Sequence, residues 1–201
     1  MTPDRTDDAA ANESGSENWD ESGRENESEQ NESADDEFDR HRRRVLWALP
    51  TGLYLVGSRH GDEVNLMAAN LVVQVCLEPK LVGVALERDS VTARLVAASG
   101  AFTISLLQRG DRDVVRRFVK PVTDVRRAGD GAIVALAGHP VTEVAPQGLP
   151  VLSAAAGHLA CSVTRTEQLG SHSFCIGEVS GVGGEPDEVL RMEDTRMHYG
   201  G

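Results

Sequence analysis

A chain of 201 residues is long enough for one substantial domain, or two small ones, and can bury a core without disulfide help. Its formal charge of −12 is unevenly placed, since residues 1–39 hold 15 of the 32 acidic side chains against only Arg5 and Arg24, leaving 17 acids and 18 bases over residues 40–201. Acid confined to one end argues against a halophile-type surface, and the absence of a basic excess elsewhere argues against a nucleic-acid partner. No run of about 18 apolar residues is present, which removes a transmembrane helix, and the polar N-terminal stretch lacks the regions of a secretory signal. A soluble, cytoplasmic protein with no membrane partner is expected. Cys76, Cys161 and Cys175 lie in apolar segments without CxxC spacing, so reduced, buried, structural thiols are expected, and no metal site.

Residues 1–37 are built from Asn, Glu, Ser, Asp, Gly and Ala, with Trp19 the only aromatic side chain, and cannot bury enough surface to offset the entropy of ordering. A disordered acidic tail is expected there, followed by a folded domain over 38–201. The run Arg40-His41-Arg42-Arg43-Arg44 leads into a segment where Phe38, Val45, Leu46 and Leu49 can share one helical face, and Pro50-Thr51-Gly52 ends it. From Leu53 the period changes to short β-type runs. Leu53 to Ser58 reads as a strand, His60-Gly61-Asp62 as a hairpin turn, and Leu71 to Leu77 and Leu81 to Glu87 as two strands split by Glu78-Pro79. The last two are nearly continuously apolar, the pattern of strands covered on both faces in a closed barrel. Ser90 to Ser99 has a Ser cap, good helix formers and a terminating Gly100, which predicts a short helix. Ala101 to Leu107 returns to strand, and Asp111 to Val119 predicts a second capped helix. A looser stretch containing Gly and Pro reaches Pro150. His158 to Glu167 and Ser173 to Val182 then read as strands joined by a long hairpin over 168–172. The expected architecture is mainly β, a barrel with two or three short helices.

No Walker loop, GxGxxG after a strand, HExxH or GxSxG is present. Three polar clusters remain, each at a strand end. Asn65 to Asn70 combines two amides with small side chains, which let a planar ligand approach backbone groups, although an ordinary strand with amide-bonded turns has the same residues. Glu87 to Thr92 places a guanidinium and two hydroxyls at a helix N-terminus, a combination that suits a phosphate, while Ser90 acting only as a cap accounts for the same sequence. Leu169-Gly170-Ser171-His172-Ser173 sets a histidine in a hairpin, where it is either an exposed turn residue or a positioned donor.

These pieces occur in a fixed order: Leu49-Pro50-Thr51-Gly52, Asn65 to Asn70, Val75-Cys76-Leu77-Glu78-Pro79-Lys80-Leu81-Val82, Arg88 to Thr92, Gly100-Ala101-Phe102, Arg116-Arg117-Phe118, and Gly170 to Val179. In that order the chain resembles the flavin reductase-like family with the FMN-binding split-barrel fold, over roughly residues 44–182. The resemblance implies a homodimer with FMN, FAD being possible, in a groove near the subunit interface, and NADH or NADPH as co-substrate. It implies hydride transfer from nicotinamide C4 to flavin N5, a reaction needing no protein nucleophile, with reduced flavin passed to a monooxygenase. Carried over by position, Met67, Ala68, Ala69 and Asn70 lie along the isoalloxazine edge, and Arg88, Asp89, Ser90 and Thr92 surround the ribityl phosphate. Cys76 falls where a serine is common, Ser105 on a strand that passes under the ring, and His172 near the nicotinamide or the exposed ring face. Leu71 replaces a frequent aromatic residue, Lys80 the second proline of a usual pair, and Asp89 a frequent serine, adding negative charge beside the phosphate position. Two other readings share this frame. One is an FMN-retaining, flavoredoxin-like protein that passes electrons to a protein acceptor. The other is a split-barrel protein that no longer binds flavin, which Leu71, Asp89 and Cys76 favour.

Overall fold

The computed structural model describes residues 35–145 and 147–195, so the acidic tail expected over 1–37 falls almost wholly outside the described residues. The chain divides at Leu46/Trp47, and the two parts are taken separately. The first contributes helix α1 over 35–47, in which Arg42 pairs with Asp39 at 2.8 Å and its guanidinium lies 5.8 Å from the Phe38 ring centroid. The second is built mainly from strands: β1 (Tyr54–His60), β2 (Glu63–Ala69), β3 (Val72–Cys76), β4 (Leu81–Glu87), β5 (Ala101–Leu106), β6 (Val125–Arg127), β7 (Ile133–Leu136), β8 (His139–Val144), β9 (Leu149–Leu152), β10 (Gly157–Leu169) and β11 (His172–Gly184). Helices α2 (Val91–Ser99) and α3 (Arg112–Arg117) and a single 3₁₀ turn (Met192–Asp194) complete it.

A seven-stranded sheet runs in the order β2-β1-β5-β10-β11-β4-β3, and a four-stranded sheet in the order β6-β7-β8-β9. Neither closes on itself. Alternation along β1 explains why its sequence is apolar at consecutive positions: Leu55 enters one buried cluster with Leu66, Leu107, Phe118 and Leu152, while Val56 enters another with Val84, Leu86, Phe102 and Ile104. The large sheet is therefore packed on both faces at its centre. α2 forms where the sequence requires it, with the Ala93 N–H donating to Ser90 Oγ at 3.1 Å and Gly100 ending the helix at φ 69°.

Two expectations are corrected. The run 71–77 is not covered on both faces, because β3 is the edge of the sheet and leaves Val73 53% exposed, and Leu77, in the turn after it, is 70% exposed. The connection between β10 and β11 is not a long hairpin but a tight turn at Gly170-Ser171, with φ of 55° at Gly170, so His172 is the first residue of a strand paired with Leu169. The stretch read as loose, up to Pro150, holds the entire second sheet.

That sheet is fastened to the first by side chains from one face of β5. Thr103 Oγ1 donates to the Pro150 carbonyl at 2.6 Å, and two residues on, Ser105 Oγ accepts from the Leu152 N–H at 3.1 Å. Arg59 of β1 and Glu143 of β8 form an ion pair across the same junction. Gly57 on β1 lies at the closest approach, where a Cβ would run into the Pro150 carbonyl and Thr103 Oγ1. Gly57→Ala is accordingly expected to destabilise the protein by about 1–3 kcal/mol through overpacking, read from the shift of the urea unfolding midpoint. An unshifted midpoint would show that the two sheets are not held at this distance.

Candidate flavin site

β2 carries Met67, Ala68 and Ala69 to its end and gives way to Asn70 before the edge strand begins. The Ala68 N–H donates to the Phe118 carbonyl at 2.9 Å, which ties this segment to the end of α3. Met67, Ala68, Ala69 and Asn70, with Glu87 from the end of β4, line a groove of about 140 Å³ whose remaining walls are Leu53, Val119 and Met192. Asn70 is 7% exposed, and its Oδ1 is the one buried side-chain nitrogen or oxygen among the described residues that has no hydrogen-bond partner. Leaving such an acceptor unmade costs about 1–3 kcal/mol.

The two turns at the other side of Glu87 are laced together. In the antiparallel β4–β11 pair Glu87 stands opposite His172, the Arg88 N–H donates to the Ser171 carbonyl at 3.0 Å, and Arg88 Nη1 reaches the Gly170 carbonyl at 3.3 Å. His172 Nδ1 and Ser171 Oγ are 2.9 Å apart. His172 is thus brought beside the groove wall by strand pairing rather than by a loop. Arg88, Asp89 and Ser90 form the exposed turn that enters α2, where N–H groups of the first turn favour an anion.

Three expected residues sit elsewhere. Thr92 is fully buried and accepts from Asn65 Nδ2 at 2.9 Å, while Asn65 Oδ1 accepts from the Val122 N–H at 2.8 Å, so this hydroxyl holds α2 against β2 from behind. Ser105 is also fully buried and is spent on β9. Cys76 ends β3, at the far end of that strand from Asn70, with its thiol directed to the Glu78 carbonyl at 3.4 Å. Conversely, Leu53, Val119 and Met192 were not singled out from the sequence. Met192 reaches the groove because the segment before it returns to the sheet: Leu190 is buried, the Leu53 N–H donates to its carbonyl at 3.2 Å, and the Met192 N–H donates to Thr51 at 3.0 Å. The Arg191 N–H, donating at 3.1 Å, and the Arg109 guanidinium hold the Asp194 carboxyl below its ordinary range, which fastens the turn bearing Met192.

Toward a flat ligand this groove presents the small side chains of Ala68 and Ala69 and, beside them, the amide of Asn70. The phosphate end is mixed, because exposed Glu87 and Asp89 flank Arg88. A larger cleft of about 630 Å³ lies between Gln108, Arg109 and Gly184 but carries the carboxylates Glu185, Asp187 and Glu188, unsuited to an anionic cofactor. A third hollow, of about 380 Å³, is apolar and runs along the sheet face over Tyr54, Val72, Ile104, Leu106, Leu159 and Val179.

Open sheets in this order, with a small-residue groove beside the turn into α2, have the plan of a split barrel. Residues 46–201 match the model of the flavin reductase like domain, and the chain belongs to that family. Among solved structures it is similar to the Streptomyces globisporus NADH:FAD oxidoreductase SgcE6, at 27% identity and a TM-score of 0.62 over 74% of this chain and 80% of that one. It is similar to the flavin reductase PheA2 at 25% identity and a TM-score of 0.62, over 76% and 92% of the two chains. The reductase component of Thermus thermophilus 4-hydroxyphenylacetate 3-monooxygenase is 32% identical over 37% of this chain and 50% of its own. The chain spans between 29% and 50% of the length of the curated relatives it matches. No helix of the described residues is long and apolar enough to cross a membrane.

All three cysteines are free. Cys161 and Cys175 are buried as expected, and burial pushes the Cys161 thiol up to about 12. Burial also raises Cys175, partly offset by the Thr166 hydroxyl. Cys76 departs from the expectation by being only half-buried. At about pH 8 an aromatic disulfide reagent should therefore label Cys76 alone in the native protein, with Cys161 and Cys175 reacting only after unfolding, since the thiolate is the reactive form. Rapid labelling of more than one thiol would show that the β10–β11 face opens.

Proposed function

We propose that this chain is an NAD(P)H-dependent flavin oxidoreductase that binds FMN, or FAD, and supplies reduced flavin to a monooxygenase. The observation that carries the reading is a groove lined by Ala68, Ala69 and Asn70, the last with a buried Oδ1 that has no hydrogen-bond partner, beside the turn into α2. The family match and the oxidoreductase and reductase-component names of its relatives support it. The flavin, when bound, accepts a hydride at N5 from nicotinamide C4.

The residues divide the remaining work. The short side chains of Ala68 and Ala69 would flank the ring edge, since the Ala68 N–H is given to Phe118 and β2 is paired with β1, and the Asn70 amide would meet the ring imide. Arg88, Ser90 and the N–H groups opening α2 take the phosphate, with Asp89 lowering its affinity. That weakening suits a flavin that leaves after reduction. With Nδ1 of His172 engaged by Ser171, Nε2 is the ring nitrogen that can serve the nicotinamide carboxamide or the charge arriving on the ring. The apolar hollow over Tyr54, Ile104 and Leu159, together with exposed Val73 on the edge strand and Leu77 in the turn after it, supports the homodimer, because a second copy would remove this surface from water.

Arg88→Ala combined with Ser90→Gly, which keeps most of the helix cap, should weaken FMN binding about tenfold or more, the loss of at least one charged hydrogen bond. A fluorescence titration measures it, and unchanged affinity would remove the phosphate from this turn. His172→Ala should keep FMN affinity within a few-fold and slow anaerobic reduction by about tenfold to a hundredfold in stopped flow. Equal rates in the variant and the wild type, with both NADH and NADPH, would leave His172 as ordinary surface. The visible spectrum of the purified protein, before and after anaerobic NADH, tests the reading as a whole: bleaching of a bound flavin is expected. Retained colour without bleaching selects a protein-to-protein electron carrier, and failure to take up added FMN rejects flavin binding.

A further inference from the structure

We propose that the acidic segment 1–34 folds back onto α1 and covers its basic and apolar face. This contact is independent of the flavin site. Within α1, Phe38, His41, Arg42, Val45 and Leu46 recur at i, i+3, i+4, i+7 and i+8, the spacing of one helical face. That face is left to water, with Phe38 62%, Val45 55% and Leu46 44% exposed. Four arginines lie on it or beside it. Arg42 pairs with Asp39 and Arg40 donates to the Asp36 carbonyl, but among the described residues Arg43 and Arg44 enter no ion pair. A face that joins large exposed apolar side chains to unpaired cations fits an acidic chain carrying an apolar anchor.

Charge and reach select the occupant. Residues 1–34 hold eleven acids against Arg5 and Arg24, a net of −9, and Trp19 is their only aromatic side chain. Trp19 precedes Phe38 by 19 positions, and a Ser- and Gly-containing chain of that length spans about 25 Å, against about 20 Å for the whole of α1. The indole can therefore reach any turn of the helix, and the tether keeps it there at an effective concentration of about millimolar order. A second copy of α1 fits the face poorly. Packed parallel, two copies set each arginine run against itself; packed antiparallel about Arg42, the centre of the face, they set Arg40 against Arg44 and Arg42 against Arg42. An anionic lipid surface is opposed by the −9 of the segment that precedes the arginines.

The test uses the full chain carrying Trp47→Phe, which leaves Trp19 as its one tryptophan. Acrylamide quenching of Trp19 is followed from about 10 mM to about 1 M NaCl, over which the Debye length falls from about 30 Å to about 3 Å. At low salt Trp19 should be quenched at least about twofold less than in the same chain with Arg40→Gln/Arg42→Gln/Arg43→Gln/Arg44→Gln, and the difference should vanish at high salt. Equal quenching of the two proteins at low salt, or protection indifferent to salt, overturns the contact. Should the four-glutamine variant lose α1 by circular dichroism, the salt series on the Trp47→Phe chain decides: release of Trp19 at high salt is expected, and constant quenching overturns the contact. Protection should not depend on protein concentration, as a tethered segment requires; a rise with concentration gives the face to a second copy and overturns the inference. The unmodified chain should not sediment with vesicles of phosphatidylcholine and phosphatidylserine at physiological salt. Sedimentation that Arg40→Gln/Arg42→Gln/Arg43→Gln/Arg44→Gln abolishes gives the face to a membrane surface and overturns the inference as well.

Discussion

The arrangement depends on two hydroxyls. Thr103 and Ser105 project from the same face of β5 and meet the backbone of β9 at Pro150 and Leu152, so the second sheet is attached by side-chain-to-backbone bonds instead of strand pairing. A proline at 150 has no N–H to offer, yet its carbonyl still needs a donor, and Thr103 supplies one in a place where water cannot. Because these alternate residues of β5 are committed to β9, the intervening Ile104 and Leu106 must face the other way. They form part of the apolar hollow there. One strand thereby separates the surface that joins the sheets from the apolar hollow on its other face.

The same economy of polar groups fixes the groove. Asn65 spends its amide on Thr92 and its carbonyl oxygen on Val122, coupling β2, α2 and the segment after α3. Five residues later Asn70 is nearly as buried, but its oxygen has nothing to accept from. A folded protein tolerates such a vacancy only against stability gained elsewhere, and binding energy becomes available when a donor fills it. Pre-formed need of this kind orients a planar ligand, because only an edge bearing an N–H satisfies it.

Legibility from sequence followed the range of the interaction. α2 was readable because Ser90 and Gly100 act within their own turn, and β4 because Val82, Val84 and Leu86 bury in sequence order. The second sheet was not. Its strands are three to six residues long, Pro140 and Pro150 sit inside two of them, and such residues read locally as loop. β3 misled in the opposite sense, since an apolar run has the same composition whether its faces are buried within one chain or exposed at an edge. Ser105 and the Thr92 hydroxyl look available for a ligand in the sequence, the first by its place on the strand and the second by its place at a helix N-terminus. Their actual partners lie 47 and 27 residues away, at Leu152 and Asn65, a distance no local pattern reports. Met192 carried no signal, because its role exists only once the chain has returned past Leu190 to Leu53.

That return has a consequence for how the protein is made. The groove takes one wall each from Leu53, Glu87, Val119 and Met192, so its sides emerge from the ribosome far apart in time. Until Leu190 docks between Leu53 and Leu107, the strand bearing Met67 to Asn70 has an open flank, and the nascent chain holds a sheet without a finished pocket. The wall that Met192 supplies therefore exists only in a chain translated past Leu190, and a shorter chain holds the sheet without it.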